Sequence, residues 1–203
     1  MKRRHWIVAF VALAVPAMAD SPPAIPAGEV ETAVNALFKS APPEWQTRIH
    51  QDETQRICSE TRNNPPAAEA EKILARERET MVYPADGNVL GAWENGEKIA
   101  QSGVGGQFSD GPNTVSGGNC YACHQMAPSE VNYGTLGPSL AGYGKVRGFD
   151  PGATKAAFAK VFNAQSVQPC SIMPRFGANK FLTIEQLKDV TAYLMSPDSP
   201  VNK

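Results

Sequence analysis

The sequence predicts a mainly α protein in two parts, an N-terminal helical extension followed by a more loop-rich unit. Three observations predict it. Apolar residues recur at helical spacing in several segments, strand alternation is scarce, and 17 Gly and 17 Pro residues break the chain between those segments. With 42% hydrophobic and 19% charged residues, the composition is that of a chain able to bury a core rather than stay disordered.

The first segment reads as a cleaved export signal, with an uncleaved N-terminal anchor as the alternative. Lys2, Arg3 and Arg4 precede the apolar run 6–15, and Ala17-Met18-Ala19 offers a small-x-small cleavage site before Asp20. The run is short for a bilayer-spanning helix, and no later stretch is long enough to be one. Removing 1–19 leaves 16 basic against 20 acidic residues, a charge of about −4. That balance argues against nucleic acid as a partner. The expected organisation is a signal peptide at 1–19, an extension at 20–86 and a second domain at 87–203. Export across the inner membrane would place the mature chain in the periplasm.

Within the extension, Val30, Ala33, Val34 and Leu37 mark a helix over 29–39. Pro42-Pro43 interrupts it, and 44–57 reads as a second helix with Trp45 and Ile49 on one side. After the break at Asn63-Asn64-Pro65-Pro66, the Ala/Glu/Arg-rich run 67–80 favours helix strongly, its charges read as a solvated face. In the second unit, 89–101 is an expected helix, although Gly91 and Gly96 weaken its propensity. The runs 103–118 and 128–148 read as loops, and 155–163 as a short helix. The last helix is the best marked. Thr183 and Gln186 have the spacing of a capping box, Ile184, Leu187, Val190 and Leu194 form the apolar stripe, and Pro197 ends it.

The chemistry lies in Cys120-Tyr121-Ala122-Cys123-His124. Two thiols at this spacing can add to the two vinyl groups of a haem, and the adjoining imidazole can then ligate its iron. Zinc would need two further ligands, and Cys58, Cys170 and His50 do not repeat a paired spacing. A thioredoxin-like motif needs βαβ surroundings, and a plain disulfide leaves His124 without a role. The sixth iron ligand must come from elsewhere. Met126 is too near His124 to reach the opposite face, and Met195 falls on the last helix. Met173 lies in the loop 168–177, beside Pro174, and is the favoured ligand; His50 or an open site are the alternatives. With one other mature histidine, a hydrolytic triad lacks parts.

These motifs resemble those of class I cytochromes c. The matching stretches are Gly96-Glu97-Lys98-Ile99, the Cys-x-x-Cys-His motif, Leu136-Gly137-Pro138-Ser139-Leu140, Met173-Pro174-x-Phe176-Gly177 and Ala192-Tyr193-Leu194. The resemblance covers roughly 87–196. It implies crossing first and last helices, one covalent haem c, a Pro138 carbonyl that accepts the His124 Nδ1 proton, and Leu140 and Tyr193 lining the haem.

The chain also resembles the SoxX family of cytochrome subunits. The shared features are the extension, the Gly-rich loop before Gly118-Asn119-Cys120, the 134–140 run and Gln168-Pro169-Cys170-Ser171-Ile172-Met173-Pro174. That resemblance implies a heterodimer with a SoxA-type haem subunit, which would carry the catalytic haem. The complex would be an L-cysteine S-thiosulfotransferase, coupling thiosulfate oxidatively to a cysteine of a SoxYZ-type carrier and passing electrons to an acceptor cytochrome. A free periplasmic electron shuttle and a ligand sensor or peroxidase with an open iron site are the competing functions.

Cys58 and Cys170 remain. They can bridge each other, bridge to a partner or stay free. An internal bridge would close a loop long enough to contribute about 4–5 kcal/mol on the chain-entropy account. Lys145, Arg147 and Arg175 are candidates for the surround of an exposed haem edge, and singly read as solvated charges. Trp45 and Trp93 read as packing residues.

Overall fold

The computed structural model describes residues 25–107 and 109–203, so the export signal expected at 1–19 lies outside the described residues. Secondary structure is helical, with no strand among the described residues. Contacts divide the chain into two units, 1–50 and 51–203. The boundary expected at 86/87 does not coincide with this division. The second half of the extension folds with the remainder of the chain, held by a disulfide and by a buried ion pair.

The first unit contains α1 (Ala27–Leu37), a 3-10 turn at Pro43–Trp45 and α2 (Gln46–Ile49). His50 closes it, with Nδ1 2.6 Å from a Glu31 carboxylate oxygen and Nε2 3.0 Å from Gln46 Oε1. The single helix expected over 44–57 is broken here. His50 is extended (φ −94°, ψ 138°), and Asp52 starts a new helix through a capping box with Gln55. Reciprocal bonds from Asp52 and Gln55 satisfy amides that a continuous helix would have bonded internally.

The second unit begins with α3 (Glu53–Glu60) and α4 (Ala67–Glu79). Ile57, Cys58 and Ile73 form a small core with Cys170. A main core gathers Phe158, Phe162, Leu187, Val190 and Tyr193 from α7 (Pro151–Phe162) and α8 (Ile184–Met195), with Ala100 from α5 (Trp93–Gln101). Met126 and Met195 are buried in this core. Trp93 packs against it, as its packing role required.

The crossing of α5 and α8 sets the architecture. A Cβ on Gly96 would lie 2.1 Å from the Asp189 carbonyl oxygen and 2.8 Å from Tyr193 Cβ. The glycine that weakens helix propensity is what lets the two backbones approach. The same contact explains why α5 starts at 93 rather than 89. The Gly91 amide donates to the Lys188 carbonyl (3.1 Å) and the Ala92 amide to Asp189 Oδ1 (2.8 Å). These amides are satisfied by α8 and not by a further turn of α5.

Two other boundaries move. α7 begins at Pro151, because the Asp150 carboxylate accepts from the Ala153 amide (2.9 Å) and Pro151 occupies the first turn. A short α6 (Tyr143–Val146) lies inside the expected loop 128–148, with the Gly144 and Lys145 amides donating to Asn202 Oδ1. Thr183 and Gln186 form the expected capping box on α8.

Candidate functional site

The Cys-x-x-Cys-His segment is a compact turn tied to the end of α5. Gly118 and Asn119 amides donate to the Ile99 and Ser102 carbonyls, and Asn119 takes a left-handed conformation (φ 46°) that turns the chain into the motif. Cys120–Ala122 is a 3-10 turn, and the Cys123 and His124 amides both donate to the Cys120 carbonyl. The segment 134–140 runs alongside. Gly134, Gly137 and Leu140 amides donate to the carbonyls of Tyr121, Cys123 and Gln125.

This pairing delivers the Pro138 carbonyl to His124. Nδ1 donates to it at 2.7 Å, so Nδ1 carries the proton and the Nε2 lone pair is left for a metal. Gly137 makes the approach possible, since a Cβ there would lie 2.2–2.7 Å from three atoms of the imidazole. Pro138 itself is exposed, and Leu140 is half-buried against the main core.

Cys120 and Cys123 are unbridged and half-buried. Withdrawal from water pushes the Cys120 thiol up to about 12. Burial thus favours the neutral thiol over the thiolate at Cys120. A neutral thioether carries no such penalty. No group of three or more His, Cys, Asp or Glu among the described residues is placed to hold a metal. The motif thus fits a covalently attached haem c.

Tyr121, inside the motif, meets α8 through a 2.7 Å hydroxyl–hydroxyl bond to the buried Tyr193. Burial, then the bond to Tyr121, raises the Tyr193 phenol above its ordinary range; Tyr121 is raised too, by burial.

Met173 is half-buried in the loop before α8 and packs against the main core. Both ring nitrogens of His50 face Glu31 and Gln46 within the first unit. Cys58 and Cys170 are joined in a disulfide. Arg175 corrects the reading of it as a solvated charge. Its side chain is 10% exposed and pairs with Glu77 of α4, which is 2% exposed, and with Asp52. Glu77 likewise departs from the solvated face read over 67–80. It accepts from Thr54 Oγ1 at 2.5 Å and from Asn163 Nδ2 at 2.8 Å. Arg147 stacks its guanidinium 3.6 Å from the Tyr143 ring centroid.

Residues 94–197 match the family described as cytochrome c. The chain is also 39% identical over 155 residues to an uncharacterized lipoprotein of Aquifex aeolicus (strain VF5), covering 75% of this chain and 73% of that protein.

Proposed function

The chain belongs to the cytochrome c family and has the class I cytochrome c fold, and from that premise we propose that it is the haem electron-transfer subunit of a SoxAX-type thiosulfate-oxidising complex. Cys120 and Cys123 would hold one haem c by thioether bonds, and His124 Nε2 and Met173 Sδ would be the residues that ligate its iron. The observation that carries the electron-transfer reading is the His124 Nδ1–Pro138 bond, which fixes the ring and its tautomer and strengthens the free nitrogen as a donor. The group so held would supply one-electron exchange, and a Met173 ligand would raise its potential relative to bis-His ligation.

Each residue has a separate task. Gly137 leaves room for the imidazole, and Leu140 and Tyr193 add apolar surface near the motif. The core excludes water from that side. The role in sulfur oxidation draws its support from the SoxX-like motifs and from the extension that precedes them. In this reading the chain forms a heterodimer with a SoxA-type subunit bearing the catalytic haem. It accepts the electrons released when thiosulfate is joined to a carrier-protein cysteine, and passes them to an acceptor cytochrome. A periplasmic location draws support from the signal-like N-terminus and from the Cys58–Cys170 disulfide, a bond typical of oxidising compartments. No helix among the described residues is long and apolar enough to cross a membrane.

Co-purification from the native periplasm, with haem staining and mass spectrometry of each band, tests the assignment. A stoichiometric second haem protein is expected. A chain that stays monomeric in the presence of its SoxA-type partner would leave the free shuttle as the function.

A further inference from the structure

The loop that carries Met173 is fastened on one side to α3 and on the other to α3 and α4. Three residues before Met173, Cys170 is disulfide-bonded to Cys58 of α3. Two residues after it, the Arg175 guanidinium donates to both carboxylate oxygens of Glu77 on α4, at 3.3 and 3.2 Å, and to Asp52 Oδ2 at the start of α3. Glu77 is held in turn by Thr54 of α3 and by Asn163, which follows α7.

Between these anchors the loop has little regular support. Among the described residues, no backbone amide of 172–176 donates to a backbone carbonyl, and the Met173 amide reaches only Ser171 Oγ, at 3.4 Å. A segment of this kind opens at low free energy unless it is tied from outside. A buried ion pair is a weak device for overall stability, because desolvation offsets its attraction. Its two-sided contacts, to Glu77 and to Asp52, instead fix where the adjoining residues run.

We propose that α3 and α4 are a positioning clamp for Met173, in which the Cys58–Cys170 bridge and the Arg175–Glu77–Asp52 ion pairs hold the ligand loop closed against displacement of Met173 by an outside ligand. Arg175, Glu77 and Asp52 are positioning residues. The inference rests on Met173 being the axial ligand, and it gives the extension a task separate from partner binding.

The test is the limiting rate at which imidazole replaces Met173 in the oxidised, full-length holoprotein, followed by absorbance. At saturating imidazole this rate reports departure of the methionine. Arg175→Gln removes charge-assisted bonds and is expected to raise it about tenfold or more. Arg175→Lys keeps the charge without the fork and should recover part of the loss. The double variant Cys58→Ser/Cys170→Ser should exceed the parent at least as much; if it does not fold, Arg175→Gln decides. Val201→Ala, in the C-terminal turn, lowers stability outside the clamp and should stay within about twofold of the parent. Equal acceleration by Val201→Ala and Arg175→Gln would reduce the clamp to general stability and overturn it. Unchanged rates in the clamp variants would also overturn it, provided Met173→Ala abolishes the long-wavelength thioether-to-iron band. If Met173→Ala leaves that band intact, the ligand assignment fails, and the clamp fails with it for that separate reason.

Discussion

Replacing Gly96 by Ala sets two effects against each other at the crossing of α5 and α8. Alanine is the better helix former by about 1 kcal/mol, so propensity alone predicts stabilisation. The added Cβ, however, would lie 2.1 Å from the Asp189 carbonyl oxygen, 2.6 Å from its carbonyl carbon and 2.8 Å from Tyr193 Cβ. Ordinary contact for such atoms begins near about 3.5 Å, so α5 must retreat by roughly 1 Å. The obstacle is helix backbone, which cannot rotate aside as a side chain could. A gap of that size forfeits about a quarter to a half of the dispersion attraction along the crossing, and overpacking costs about 1–3 kcal/mol before the helices resettle. The steric term wins. A net loss of about 1–2 kcal/mol is expected, or roughly 2–8 °C in Tm for a domain of this size. Thermal and urea unfolding of the holoprotein, followed by far-UV circular dichroism, measure it. Stability equal to or above that of the parent would mean propensity prevails and the helices do not approach as described.

Glu77→Gln leaves the Arg175 guanidinium buried without its full counter-charge and should cost about 3 kcal/mol in urea unfolding, with little further loss when Arg175→Met is added. An unaffected midpoint would show that the pair is already wet. The Tyr193 and Tyr121 phenols are both raised by burial, so above the unfolded phenol value of about 10 the unfolded chain has lost protons that the native chain keeps. Stability is therefore full below that pH and falls as pH rises through it; Tyr193→Phe should flatten the fall, and an unchanged slope would count against the hydroxyl pair.

The parts of this architecture that local chemistry dictates are the ones legible in the sequence. Thr183 and Gln186 cap α8 because both partners lie within one turn. The His124–Pro138 bond follows from a motif resemblance that carries its own geometry. Asp150-Pro151 was a readable start signal for α7, masked by the neighbouring Gly148 and Gly152. Other features have partners too far along the chain to be read locally. α6 depends on Asn202, 58 residues beyond Gly144. Glu77 and Arg175 each look like solvated charges until a fold joins them across 98 residues. Gly96 reads locally as a defect, because propensity registers the missing side chain and not the backbone facing it.

Two remote constraints therefore act on different segments of the chain. The α5–α8 crossing supports Tyr193, whose hydroxyl reaches Tyr121 in the haem-attachment motif. The α3–α4 pair holds the flanks of the Met173 loop. Gly96 faces Asp189 and Tyr193, whereas Glu77 bonds to Thr54, Asn163 and Arg175, so the two share no direct partner. Independent supports should fail independently. The double variant Gly96→Ala/Glu77→Gln is expected to lose the sum of the two single losses within about 0.5 kcal/mol. A coupling energy well above 1 kcal/mol in the same urea titration would mean that the motif side and the methionine side move as one body. The extension would then be part of the core and not a clamp laid upon it.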